Sequence, residues 1–242
     1  MKTLKLGLVT EGKTDQVVLR ELLTAVVKRR GEALTLEFRD LQPTADRTSE
    51  GGLEMVYKWC LNNPPEERAN RFQRDGLFAG LSQNNSFDAI IIHLDGDSCD
   101  HPRISMLMPD SAIPLPDASA TDRGDFVERT LNHWLWTLHP TWDGIKDLRQ
   151  IPAPAVEMTE TWLVAGLCED FAPEESKEIL RRLVELDFSL KNKVAPKDAK
   201  QVKKERENYR RLSMAAANQI DRILSCYYFN QLVSRILMLA SC

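Results

Sequence analysis

The sequence lacks the features that would assign it to several large classes of protein. It has no apolar run approaching the roughly 20 residues of a membrane-spanning helix, no fixed-period repeat, and no paired spacing among its five cysteines. Its formal net charge is −4, so it also lacks the overall basic character that attracts nucleic acid. We therefore expect a soluble, cytoplasmic protein with reduced thiols, in which any contact with nucleic acid comes from a local patch.

The sequence does contain enough apolar material for a globular core. Of its 242 residues, 43% are hydrophobic, and this size fits one domain or one domain with an appendage. Apolar runs bounded by turn residues alternate with segments of helical period, which is the pattern of an α/β protein. We predict a Rossmann-like, mostly parallel sheet flanked by helices in residues 1–170, and a helical extension packed on it in residues 171–242.

Two predicted strands matter most for function. The first covers Leu4–Thr10 and is followed by a turn and by a helix over Asp15–Arg30. The second covers Phe87–Leu94, whose length and β-branched content are typical of a strand covered on both faces, so we place it at the centre of the sheet. The other predicted elements are strands at 33–41 and 148–154, two helices within 52–82, an irregular stretch at 98–121, helices at 125–139 and 157–168, and helices after residue 173.

Carboxylates follow both of these strands. Glu11 stands where the first strand ends, and Asp95 and Asp97 follow the second. The carboxyl ends of parallel strands meet at one edge of a sheet, where α/β folds bind ligands, and an i, i+2 pair in an extended chain points to one side. Clustered carboxylates repel one another unless a cation neutralises them, and Mg²⁺ prefers such oxygen ligands. The pattern therefore predicts a Mg²⁺ site, with Mn²⁺ as the alternative ion, that serves phosphoryl transfer.

Two other interpretations of these segments stay open. The Asp-Gly-Asp segment after the second strand is, on its own, also a common polar turn. The segment GLVTEGKT, Gly7–Thr14, matches the phosphate-loop pattern G-x-x-x-x-G-K-[ST], which would assign Lys13 to a nucleotide phosphate. Because its first half has the composition of a strand interior and Glu11 would repel phosphates, we prefer the metal site, with Lys13 beside it as a contact for a substrate phosphate.

The same residues resemble a known family. VTEGKTDQVVLRELL and IIIHLDGD are similar to the EG-x-x-D turn and the DxD pair of Toprim domains, and MTETWLVAG resembles the E-x-W-L-x-A segment of an uncharacterised bacterial Toprim-like family, with Glu160 and Trp162 at the matching positions. The resemblance implies a Toprim fold, Mg²⁺-dependent cleavage of DNA or RNA, and an ABC-type ATPase partner in phage defence. One departure is that many Toprim proteins read DxDxxG in the second motif, whereas here Gly96 falls inside the acidic pair and Ser98-Cys99-Asp100 follows.

The resemblance and the positions of the acids together give a predicted site. Glu160 also fits by position, because a helix that follows a strand begins at the same edge of the sheet. Glu157 is better explained as a helix N-terminal acid, and Asp100 as a surface acid, although both stay open as additional ligands. We predict catalytic roles for Glu11, Asp95, Asp97 and Lys13, with Glu11 transferring a proton, and metal-ligand roles for Glu11, Asp95, Asp97 and Glu160.

A basic segment is the last candidate. Residues 191–211 hold nine Lys or Arg and three acids, which suits contact with a phosphate backbone, although a solvated face or an acidic partner explains the run equally. Zinc is not expected, because no second Cys/His pair has ligand spacing and His93 lies inside a strand. A catalytically weak module that regulates an ATPase is the second functional hypothesis. The residues predicted to contact nucleic acid are Lys197, Lys200, Lys203, Lys204 and Arg210.

Overall fold

A sheet of four parallel strands organises the computed structural model of this chain. The strands are β1 (Lys2–Val9), β2 (Leu34–Gln42), β3 (Ala89–Leu94) and β4 (Gln150–Pro154), and their order in the sheet is β2-β1-β3-β4. This confirms the predicted α/β class and the parallel sheet. The structure describes residues 2–31, 33–46, 49–72, 86–108, 112–115, 118–139, 146–156, 158–169, 179–193, 195, 202 and 205–241.

Helices surround this sheet. A helix from Lys13 begins directly after β1, and a helix from Glu160 begins shortly after β4, so both start at the carboxyl edge of the sheet. The helices in the described part of the chain are α1 (Lys13–Arg29), α2 (Leu53–Asn62), α3 (Pro65–Asn70), α4 (Ile104–Leu107), α5 (Ala120–Asn132, continued by a π-helical turn at His133–Thr137), α6 (Glu160–Leu167), α7 (Ile179–Leu190), α8 (Arg206–Ala217), α9 (Ile220–Ile223) and α10 (Tyr227–Ser241).

Strand β3 is internal and buried on both faces, as predicted. All six of its residues are buried. Ala89 and Ile91 belong to the apolar cluster on one side of the sheet, and Ile90, Ile92 and Leu94 belong to the cluster on the other side. This alternation follows from the two-residue period of a strand. Because β3 is internal in the sheet, the segment that follows it begins at the middle of the carboxyl edge.

Two predicted segments differ from the structure. The stretch at 98–121 was expected to be irregular, yet Gly96–Asp100 forms a 3₁₀ turn and Ile104–Leu107 forms α4. Helix α5 begins at Ala120 rather than at residue 125, because Ser119 accepts a hydrogen bond from the Asp122 N–H as an N-cap. An N-cap hydroxyl satisfies a backbone donor that the helix itself leaves unpaired, so the helix starts where this cap is available.

The C-terminal helices share the core of the sheet. Leu212 in α8 and Phe229 in α10 are fully buried in the same apolar cluster as Leu6 in β1 and Leu22 in α1. Helix α8 packs on α1 and α6, and α10 packs on β4. Among the described helices, none combines the length and the apolar character needed to cross a bilayer.

Candidate metal centre

Glu11 and the segment after β3 meet at the carboxyl edge of the sheet. The Oε1 atom of Glu11 accepts a hydrogen bond of 3.0 Å from the backbone N–H of Asp95 and one of 2.7 Å from the hydroxyl of Ser98. These contacts join residues that are 84 and 87 positions apart in the chain. The structure therefore brings together the carboxyl ends of β1 and β3, as the sequence predicts.

A close backbone contact requires glycine at position 96. A Cβ atom at this position would lie 1.8 Å from the carbonyl oxygen of Val156, so no other residue fits without moving the backbone. The chain turns here into the 3₁₀ segment instead of staying extended, and Asp97 is exposed at its start. The chain from Asp95 to Asp97 is therefore not extended, contrary to the expectation for this pair, although the charge of Asp97 still acts on the Asp95 carboxyl.

Asp15 and Asp95 are linked through Thr159, the residue before α6. The backbone N–H of Thr159 donates to Asp95 Oδ1 at 2.9 Å, and its hydroxyl lies 3.2 Å from that oxygen and 3.0 Å from Asp15 Oδ1. The other oxygen of Asp15 accepts a 2.7 Å hydrogen bond from the Gly12 N–H, which caps α1. Asp15 thus acts as the helix-start residue and also reaches the site.

His93 completes a compact group with these two acids. Its side chain is fully buried, and its Nδ1 donates to the carbonyl oxygen of Ala153 at 2.6 Å. Its Nε2 lies 3.2 Å from Asp95 Oδ1. Asp15, His93 and Asp95 each offer one ligand atom, and the three atoms all lie within 4.8 Å of one another. Oxygen and imidazole nitrogen are common ligands of divalent ions, so this group fits a metal.

Glu160 lies on the α8 side of the same centre. It is the first residue of α6 and is buried, and the hydroxyl of Tyr209 in α8 donates to its Oε1 at 2.5 Å. Burial raises the pKa of Tyr209, and the negative charges of Glu160, Asp15 and Asp95 raise it further. The C-terminal helices therefore contribute a hydrogen-bond donor to the acidic centre.

Burial and, to a smaller extent, neighbouring carboxylates raise pKa values at this edge. Burial and the neighbouring charge of Asp95 raise the pKa of Glu11 to about 8, against the lowering effect of the hydrogen bonds from Ser98 and the Asp95 N–H. Burial also raises the pKa of Asp95, with additional effects from Asp15, Glu160 and Asp97. Groups whose ionised form is this costly bind a proton or another cation readily, and such groups cluster at functional sites.

The Lys13 ammonium binds a backbone carbonyl. As the first residue of α1, Lys13 donates to the carbonyl oxygen of Asp46 at 2.6 Å. The phosphate-loop interpretation is also disfavoured, because Gly7–Val9 are strand residues paired with β2 and β3. A Cβ atom at Gly7 would lie 2.6 Å from the side chain of Leu41, so this glycine serves sheet packing rather than a backbone that wraps a phosphate.

The described arginines of the basic segment pair with acids of neighbouring elements. Arg210 lies 3.2 Å from Glu21 in α1, and Arg211 forms an ion pair with Asp187 in α7. These pairs hold α8 on the core. The other residues predicted to contact nucleic acid lie outside the described residues: Lys197, Lys200, Lys203 and Lys204. Glu157 also lies outside them. Asp100 is bound by Arg123 at 2.8 Å, which agrees with a surface acid rather than a ligand.

Sequence reasoning missed His93 and placed Asp15 only at the start of a helix. His93 was set aside because it lies inside a strand, yet His-x-Asp at the end of a strand puts both side chains on one side, and this spacing was a usable signal. Thr159 carried no local signal, because its position depends on how the chain returns after β4. Comparisons of this chain with known protein families, with curated proteins and with solved structures gave no match.

Proposed function

We propose that this chain is a divalent-metal-dependent phosphodiesterase with a Toprim-like fold that acts on DNA or RNA. The observation that carries the proposal is the convergence of Glu11, Asp15, His93, Asp95 and Glu160 at the carboxyl edge of a parallel sheet. Asp15, Asp95 and Glu160 are the carboxylates that would hold Mg²⁺ or Mn²⁺. When bound, such an ion polarises a phosphoryl oxygen and stabilises the charge on the leaving oxygen.

Glu11 is the group we assign to proton transfer. Its pKa of about 8 lies close to working pH, which favours a general acid or base. Both of its hydrogen bonds from Asp95 and Ser98 arrive at Oε1, and no described residue donates to Oε2. We therefore assign the transferred proton to Oε2, while Oε1 fixes the orientation of the side chain.

Lys13 and Asp97 have secondary roles in this proposal. Lys13 follows Glu11 by two residues in the sequence. Its ammonium group must release the Asp46 carbonyl oxygen in order to contact a substrate phosphate. Asp97 is exposed and lies at the rim, where it orients a water or an ion. The ABC-type ATPase partner implied by the Toprim resemblance stays a prediction, which co-purification from the native cell tests.

The test is cleavage of labelled single-stranded DNA, duplex DNA and RNA by purified protein, with and without EDTA. We expect cleavage to require Mg²⁺ or Mn²⁺ and to fall at least about 100-fold in Glu11→Gln and in Asp95→Asn. Glu37→Gln, which changes an exposed carboxylate on β2, is the matched control and should keep full activity. Cleavage that persists in EDTA, or that survives both site substitutions, would overturn the proposal.

A further inference from the structure

His93 is held in one orientation by its position in the sheet. Residues 93 and 153 are register partners of β3 and β4, and the ring packs against Trp162 with 5.7 Å between ring centroids. Its Nδ1 lies 2.6 Å from the Ala153 carbonyl oxygen. A carbonyl oxygen only accepts hydrogen bonds, so Nδ1 carries a proton, and Nε2 is the atom that faces the acids.

This orientation sets Nε2 against a carboxylate. In neutral imidazole only one nitrogen carries a proton, so Nε2 then presents a lone pair to Asp95 Oδ1 at 3.2 Å. Two lone pairs at this distance need a proton or a metal ion between them. The hydroxyl of Thr159, 3.0 Å from Asp15 Oδ1 and 3.5 Å from Nε2, adds a neutral oxygen donor to the same space.

The spacing of the group suits one ion after a small adjustment. Ligands at about 2.1 Å from a divalent ion lie about 3 Å apart when adjacent and about 4.2 Å apart when opposite. The ligand atoms of Asp15, His93 and Asp95 lie within 4.8 Å of one another, and the pair from His93 and Asp95 is already 3.2 Å apart, so the group needs to contract only modestly around an ion. In metal sites, a histidine ligand also usually donates a hydrogen bond from its other ring nitrogen, often to a backbone carbonyl.

We propose that His93 Nε2 is a metal ligand and that the site formed by Asp15, His93 and Asp95 therefore takes a transition-metal ion such as Mn²⁺ in preference to Mg²⁺. Mg²⁺ selects oxygen ligands, whereas Mn²⁺ and the later divalent ions of the same row accept an imidazole beside carboxylates and bind nitrogen more strongly. This inference rests on the proposed function, because it concerns the metal of the same centre.

The test is metal binding, measured without substrate. Calorimetry on EDTA-treated protein should give an Mn²⁺ affinity at least about 30-fold above that for Mg²⁺. His93→Asn should weaken Mn²⁺ binding about 10- to 100-fold and change Mg²⁺ binding by less than about threefold. His133→Asn, a half-buried histidine at the end of α5, is the matched control and should leave both affinities unchanged.

A second measurement needs no substitution. The electron spin echo of Mn²⁺ bound to the wild-type protein should show modulation from an imidazole ¹⁴N, which changes when histidine is labelled with ¹⁵N. Bound Mn²⁺ without nitrogen modulation, or equal affinities for Mn²⁺ and Mg²⁺, overturns the inference, leaves His93 as a hydrogen-bond partner of Asp95 and leaves the proposed function standing. Protein that binds neither ion overturns both proposals.

Discussion

Replacing Glu11 with glutamine is expected to stabilise the metal-free protein at alkaline pH, although it removes a proposed catalytic group. Burial and the charge of Asp95 raise the Glu11 pKa from 4.5 to about 8. The folded protein therefore keeps a proton that the unfolded chain releases, and the free energy of unfolding falls as the pH rises from about 4.5 to about 8. Glutamine is neutral at every pH and still accepts the hydrogen bonds from Asp95 and Ser98.

The magnitude follows from the same pKa. A pKa difference of one contributes about 1.4 kcal/mol, so the rise to about 8 gives an upper bound of about 5 kcal/mol above pH 8. Because Glu11 keeps some contact with solvent, we expect a gain of about 2–4 kcal/mol for Glu11→Gln at pH 9, and little gain at pH 5.

The assay is urea unfolding of EDTA-treated protein at several pH values from 5 to 9. Plotted against pH, the free energies of unfolding of wild type and Glu11→Gln should diverge progressively. That of Glu37→Gln, a substitution of an exposed residue, should follow the wild-type values. Adding Mn²⁺ should restore the wild-type stability at pH 9 by binding only the folded state. Parallel curves for wild type and Glu11→Gln over this whole range would refute the argument that Glu11 is forced to hold a proton.

Three further predictions concern the surroundings of the centre. Gly96→Ala should lower the free energy of unfolding by about 3 kcal/mol or more, because the added Cβ meets the Val156 carbonyl oxygen and backbone cannot yield as a side chain does. Thermal unfolding measures this loss, and a wild-type Tm would contradict the prediction. Tyr209→Phe should cost about 1–3 kcal/mol, because the buried Glu160 loses its donor, and calorimetry should show altered metal affinity, which a purely structural role would leave unchanged. Arg68→Met should cost a similar amount, because the buried guanidinium donates to Gln150 Oε1 and to the carbonyl of Leu135; its metal affinity should stay at the wild-type value, since Arg68 lies away from the acids.

The sheet was predictable because its strands are defined by short-range patterns. The continuous apolar run of β3 and the turn residues that follow β1 are local signals, and they were enough to place Glu11 and Asp95 at one edge. Boundaries were less accurate where a single side chain decides them. The start of α1 is an example, since the Asp15 carboxylate caps the N–H of Gly12 and so begins the helix at Lys13, two residues before the predicted start.

The site was predictable only as far as strand ends define it. The close contact between Gly96 and Val156 joins residues 60 positions apart and leaves no local trace, although a turn at Asp-Gly-Asp was one of the interpretations that the sequence left open. The pairing of Tyr209 with Glu160, which lie 49 positions apart, was hidden for the same reason. His93 differs from these cases, because its spacing to Asp95 was visible and its burial inside a strand was given too much weight.

The contact of α8 with the acidic centre bears on how the protein is made. A ribosome-bound chain that has only just passed α6 already contains every carboxylate of the centre but not the phenol that Glu160 requires. The Glu160 carboxylate therefore gains this hydrogen-bond donor only when α8 has been synthesised and has packed against α6.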